Sequence, residues 1–152
     1  HLARAGKPIL LKRGMAETVE EWLMAAEYLL VNGCSQVVLC ERGLRSFDKV
    51  TRNLLDVGGI AAAKNLSHLP VIADPSHAAG NRLYVPALSK AAIAAGADGL
   101  IVESHPDPVN AFSDASQQIP SASFKEYLDD IAPWIELAKK SRAAASAAKK
   151  QA

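Results

Sequence analysis

Pro70-Val71-Ile72-Ala73-Asp74-Pro75-Ser76-His77 shows the pattern from which the chain is built: a short apolar run without alternation, closed by an acid, a proline and a histidine. An unbroken apolar run of this length marks a parallel strand buried on both faces, so residues 70–74 are read as a strand. The same arrangement occurs twice before it and once after it. Residues 8–12 end in Lys12 followed by Arg13-Gly14, residues 36–41 end in Glu41 followed by Arg42-Gly43, and residues 99–103 end in Glu103 followed by Ser104-His105-Pro106. Helices fill the intervals. Thr18 is an N-cap before Trp22, Leu23, Ala26, Leu29 and Leu30 at three- and four-residue spacing, and Asn32-Gly33 stops that helix. A helix-like stretch at 60–66 precedes Pro70, another runs over 84–95 up to Gly96, and a last one over 124–140 is expected to break or kink near Pro133.

The strand ends Lys12, Arg42, His77 and Glu103 fall 30, 35 and 26 residues apart, close to the ~30 residues of one βα unit. Such units suit a doubly wound open sheet or half of a (β/α)8 barrel, because a full barrel takes ~250 residues. Spacing leaves both open. With 152 residues, 49% hydrophobic and 22% charged, the chain has the material for one globular domain, read as residues 1–140. Residues 1–6 read as the end of a helix running into a strand, as in a chain that begins mid-domain. Residues 141–152 lack a large apolar side chain and are expected to be a frayed helix or a disordered tail. A formal charge of +1 offers no field for nucleic acid or anionic membrane, and no run approaches the ~20 apolar residues of a membrane span. Cys34 and Cys40 lack zinc-site spacing and read as reduced thiols of a cytoplasmic protein.

Polar groups at every strand end form one constellation, because the C-terminal strand ends of α/β folds converge on a functional rim. His77, Glu103 and Asp114 offer an imidazole and two carboxylates, a donor set suited to a divalent Mn, Fe, Co or Zn ion, with a fourth ligand still wanting. His77 as a backbone-bonded loop histidine and Asp114 as a helix N-cap are the plain alternatives. Lys12 and Arg42 are candidates for binding a phosphate, and ion pairs with Asp74 or Glu41 are their alternative. Cys40 is read as a small buried thiol, Trp22 and Trp134 as core or interface anchors, Gly58-Gly59 as a turn, and His68 as structural.

Four blocks carry a resemblance. Gly6-Lys7-Pro8-Ile9-Leu10-Leu11-Lys12-Arg13-Gly14-Met15, Leu39-Cys40-Glu41-Arg42-Gly43-Leu44-Arg45-Ser46-Phe47, Leu66-Ser67-His68-Leu69-Pro70-Val71-Ile72-Ala73-Asp74-Pro75-Ser76-His77-Ala78 and Ala97-Asp98-Gly99-Leu100-Ile101-Val102-Glu103 resemble the type I-beta 3-deoxy-D-arabino-heptulosonate 7-phosphate (DAHP) synthases, over residues 6 to about 118. The resemblance implies strands five to eight of a (β/α)8 TIM barrel and condensation of phosphoenolpyruvate with erythrose 4-phosphate, the first step of the shikimate pathway. It implies His77, Glu103 and Asp114 as ligands of a divalent metal, completed by a cysteine from the first barrel strand that neither Cys34 nor Cys40 supplies. Lys12 and Arg42 are implied to hold the carboxylate and phosphate of phosphoenolpyruvate. The family's Lys-Pro-Arg-Thr-Ser loop for erythrose 4-phosphate is absent, Asn81-Arg82 replaces a pair of arginines, and Ala115-Ser116 replaces Gly-Pro. Single blocks are shared with 3-deoxy-octulosonate 8-phosphate synthases, so a different aldose phosphate is one rival reading. The other is an inactive half-barrel that needs an N-terminal partner or forms a homo-oligomer.

Overall fold

The computed structural model describes residues 1–149. After a short 3-10 turn, the chain forms β1 (Ile9–Lys12), α1 (Val19–Val31), β2 (Val37–Glu41), α2 (Val57–Leu66) and β3 (Val71–Ala73). It continues through α3 (Pro75–Ala79), α4 (Val85–Ala94), β4 (Gly99–Leu100), the small parallel pair β5 (Ser104–His105) and β6 (Ile119–Pro120), and α5 (Phe124–Lys149). The main sheet is wholly parallel in the order β1-β2-β3-β4. An α/β fold with a parallel sheet is therefore established. Its strand order follows the chain without reversal, so the switch point that defines a doubly wound sheet is missing among the described strands.

The helices form because their caps and apolar stripes agree. Thr18 and Glu21 close a capping box at the start of α1, and that helix buries Trp22, Ala26 and Leu29 against Val37, Leu39, Val71 and Ala73 of the sheet. Alternate strand residues face the other way. Leu10 registers with Val38, and Cys40 with Ile72. Leu10, Val38 and Ile72 belong to neither core cluster, and Leu10 is 40% exposed. A second cluster seats α5 on α4 through Val85, Ile93, Tyr127 and Ile131.

Three expectations change. Pairing of the fourth strand ends at Leu100, not at residue 103: Ile101 N–H still reaches Ala73 O, but the Glu103 N–H turns to Ser76 Oγ at 3.0 Å. The side chain of Ser76 thus substitutes for the ladder of the edge strand. Gly58-Gly59 is the first turn of α2 and not a free turn, with Asp56 as the N-cap accepting from Gly59 N–H. A Cβ at Gly59 would lie 2.7 Å from Arg13 Nη1, so glycine here makes room for a guanidinium. Of the break or kink expected near Pro133, the break does not occur: helix α5 continues past it, held on both sides by Tyr127, Ile131 and Ile135. Beyond residue 140 the helix continues to Lys149, with Arg142 bonded to Asp98 and to the carbonyls of Gly96 and Ala97. Residues 150–152 of the expected tail lie outside the described residues.

Candidate metal centre

The rim at the strand C-termini begins with Asp74. This residue caps α3, with Pro75 in the first helical position, and its Oδ1 accepts the His77 N–H at 3.0 Å. Its Oδ2 receives two partners, Lys12 Nζ at 2.9 Å and His77 Nδ1 at 2.8 Å. Asp74 is 1% exposed, and a buried carboxylate needs such donors. A carboxylate only accepts, so the imidazole carries its hydrogen on Nδ1 and turns Nε2 to the opposite side. There Glu103 Oε1 stands 3.4 Å and Asp114 Oδ2 3.8 Å away. One donor atom from each of His77, Glu103 and Asp114 lies within 4.8 Å of the others.

This arrangement is what holding a divalent cation requires: a free imidazole nitrogen, two carboxylate oxygens, and an acceptor behind the ring that fixes its tautomer. The donor set fits such an ion. Neither plain alternative describes these residues. The ring of His77 bonds Asp74 and not backbone, and Asp114 sits in a turn with φ 53°, a left-handed conformation that aspartate tolerates, rather than at a helix start.

Lys12 and Arg42 differ. Lys12 does pair with Asp74, so the ion-pair alternative is realised for it. Glu41, the other proposed partner, is taken by Arg13 at 3.0 Å, and Arg13 also bonds Asp56 at 2.8 Å. The Arg42 side chain makes no hydrogen bond or ion pair among the described residues, and it is half-buried one residue past β2. It is the cation left available for an anion.

Four residues of the rim were not singled out as site residues in the sequence. Asp74-Pro75 is an N-cap and N1 signal that could have revealed α3 and its acceptor. Arg13 lies buried across Trp22, 5.6 Å from the ring centroid. Burial works against its charge, but hydrogen bonds to Asp56 and Glu41 outweigh that and raise its pKa, and Arg13 and Gly59 N–H hold Asp56 below the usual carboxylate range against its own burial. Arg52 reaches the centre from a distant loop and Gln117 from the turn that holds Asp114: Arg52 Nη1 donates to Asp114 Oδ1 at 2.7 Å and to Gln117 Oε1 at 3.0 Å, and Gln117 Nε2 donates to Glu103 Oε2 at 3.0 Å. No local pattern announces either. Cys40 is fully buried, and burial pushes its thiol up to about 12, in keeping with an inert core residue.

Fold and rim define a parallel α/β protein whose strand ends gather a metal-type donor set and a free cation. Residues 1–136 match the DAHP synthetase I family, and the chain belongs to that family. It is 48% identical over 133 residues to a phospho-2-dehydro-3-deoxyheptonate aldolase of Thermotoga maritima, covering 86% of this chain and 39% of that protein. It is 32% identical over 138 residues to a 2-dehydro-3-deoxyphosphooctonate aldolase of Acidithiobacillus ferrooxidans, covering 84% and 48%. Among solved structures, a truncated form of 3-deoxy-D-arabino-heptulosonate 7-phosphate synthase from Thermotoga maritima superposes with a TM-score of 0.85 at 46% identity, over 90% of this chain and 53% of that one. The chain thus spans about half, or less, of the length of the relatives it matches.

Proposed function

We propose that this chain forms the last four βα units of a (β/α)8 barrel, and that the assembled protein condenses phosphoenolpyruvate with erythrose 4-phosphate to give DAHP and phosphate. The observation that carries this reading is the His77, Glu103 and Asp114 cluster at the strand ends, to which Asp74 ties Lys12, with Arg42 one residue past β2, in a chain that is closer to the heptulosonate enzyme (48%) than to the octulosonate one (32%). His77, Glu103 and Asp114 hold the metal, an ion of the Mn, Fe, Co or Zn class by its mixed nitrogen and oxygen donors. When bound, that ion supplies Lewis-acid polarisation of the aldehyde oxygen. The chain's own groups do the rest. Arg42 and Lys12 bind the phosphate and carboxylate of phosphoenolpyruvate, and Asp74 holds Lys12 and His77 in register. The new bond joins C3 of phosphoenolpyruvate to the aldehyde carbon, water adds at C2, and phosphate leaves.

The open face of the sheet supports the half-barrel reading, since Leu10 and Ile101 are left 40% and 37% exposed beside unpaired strand edges. A preceding half-barrel covers that face and brings the sugar-phosphate loop and a fourth metal ligand, and a homo-oligomer is the rival cover. No described helix is long and apolar enough to cross a membrane, and two free cysteines suit a reducing compartment such as the cytoplasm. The test combines the chain with an N-terminal half-barrel and follows phosphate release with added Mn2+ or after chelation. Turnover is expected only with both halves and metal, and with the four-carbon sugar phosphate in preference to a five-carbon one. Arg42→Ala should lower kcat/KM for phosphoenolpyruvate by about a hundredfold. Unchanged kinetics in Arg42→Ala, or preference for the five-carbon aldose, refutes the assignment.

A further inference from the structure

We infer that Gln117 and Arg52 form a bracket that makes each carboxylate of the metal centre offer one oxygen only, which makes them positioning residues for that site. This rests on the metal-centre reading above. The two carboxylates are held alike. Glu103 turns Oε1 toward His77 Nε2 and gives Oε2 to Gln117, and Asp114 turns Oδ2 toward the same nitrogen and gives Oδ1 to Arg52. A carboxylate with both oxygens free can rotate or chelate. One whose outer oxygen accepts a strong hydrogen bond presents only its inner oxygen, leaving other coordination positions for further ligands.

The bracket is closed by a single amide. Arg52 only donates and Glu103 only accepts, so Gln117 must set Oε1 toward the guanidinium and its NH2 toward the carboxylate. Gln117 is 1% exposed, so neither end can turn to bulk water instead. Its backbone N–H also bonds Asp114 O at 3.0 Å, closing the turn in which Asp114 takes φ 53°. Arg52 is anchored in turn, its N–H on Ala79 O at 3.1 Å. Gly80, at φ 66°, packs so closely on Arg52 that an added Cβ would meet the arginine's Cβ. Three separate stretches, the loop after β2, the end of α3 and the loop before β6, are thereby fixed relative to one another around the donor atoms.

The test uses the assembled enzyme without substrate. Mn2+ is titrated by the loss of its free-ion electron paramagnetic resonance signal, and Co2+ by its ligand-field absorption. Gln117→Met keeps the length and removes both polar ends, and it is expected to weaken Mn2+ binding about ten- to hundredfold and to shift the Co2+ band. Arg52→Gln, at an exposed position, removes a positive charge beside a cation site, which by itself tightens binding. The bracket requires the opposite sign, a weakening of about tenfold, measured at high salt where the charge effect is screened. Mn2+ affinity in Arg52→Gln that is unchanged or tighter overturns the inference, whatever the fate of the Gln117 variant. A wild-type enzyme that fails to bind Mn2+ or Co2+ is a different failure and removes the metal-centre reading itself.

Discussion

Arg13 and Glu41 show what a single buried contact carries. Glu41 has no exposure, and its partners are Arg13 and the N–H groups of Gly43 and Asp56. Arg13→Met leaves that carboxylate without its counter-charge, and should destabilise the protein by about 3–5 kcal/mol, read from the urea midpoint. Cys40 gives a complementary test. Its buried thiol stays protonated to about pH 12 in the fold, whereas an unfolded thiol ionises near ~8.5. Only the unfolded state loses this proton across that window, so the contribution is intact below pH 8.5 and is lost as pH rises. Cys34 and Cys40 are both buried, so native protein should leave them unreacted with a thiol reagent at pH 8, and denaturant should expose two. Lys12, Arg42, His77 and Glu103 could be picked out as candidates in the sequence because each closes or follows a strand inside a recognisable block, and Asp114, outside those blocks, joined them as a second carboxylate on the next loop. Arg52 and Gln117 could not, because the carboxylates they hold lie 62 and 14 residues away, and Arg13, although it follows β1 inside a block, gave no sign of its role because its partner Glu41 lies 28 residues on and no periodicity encodes such one-off closures.

Among the elements, the strands and longer helices were readable from apolar runs and caps, as at Thr18 and Asn32. The short ones depended on packing. Helix α3 spans five residues and β4 two, lengths at which propensity has little say and neighbouring side chains such as Ser76 decide where a ladder stops. Gly43 illustrates how tightly these pieces interlock. It sits at φ 91°, and a Cβ there would come 2.6 Å from that of Asn53 and 3.0 Å from Ala78 Cα. Asn53 in turn donates to His77 O at 2.9 Å. Gly43→Ala should therefore push α3 away from β2, costing more than the ~1 kcal/mol of an unfavourable backbone conformation alone. Thermal unfolding reports the stability loss, and Mn2+ titration of the assembled enzyme should report a weakened centre.

Across the whole molecule, the balance of acids sets the lower pH limit. Burial opposes ionisation of Asp98, but Lys64 and the Val71 N–H outweigh it and hold its pKa below the usual range, as Arg13 does for Asp56. Depressed carboxylates contribute stability that is present above their unfolded pKa of about 3.9 and is lost as pH falls through the lower folded values. The urea midpoint should stay level from pH 7 to about 5 and drop below about 4, and Lys64→Met should blunt the drop. The open sheet face has its own signature: the chain by itself should sediment as a species heavier than its 16.1 kDa mass, and an added N-terminal half-barrel should replace that self-association.

Trp22 and Trp134 report on different parts of this molecule. Trp22 is fully buried, donates through Nε1 to Leu11 O and lies against Arg13, whereas Trp134 is 42% exposed on α5. Iodide in solution should quench the emission of the second and spare the first. The unquenched part of the fluorescence then becomes an optical gauge of strand β1, the element that carries Lys12, and it follows that strand's integrity without any added label.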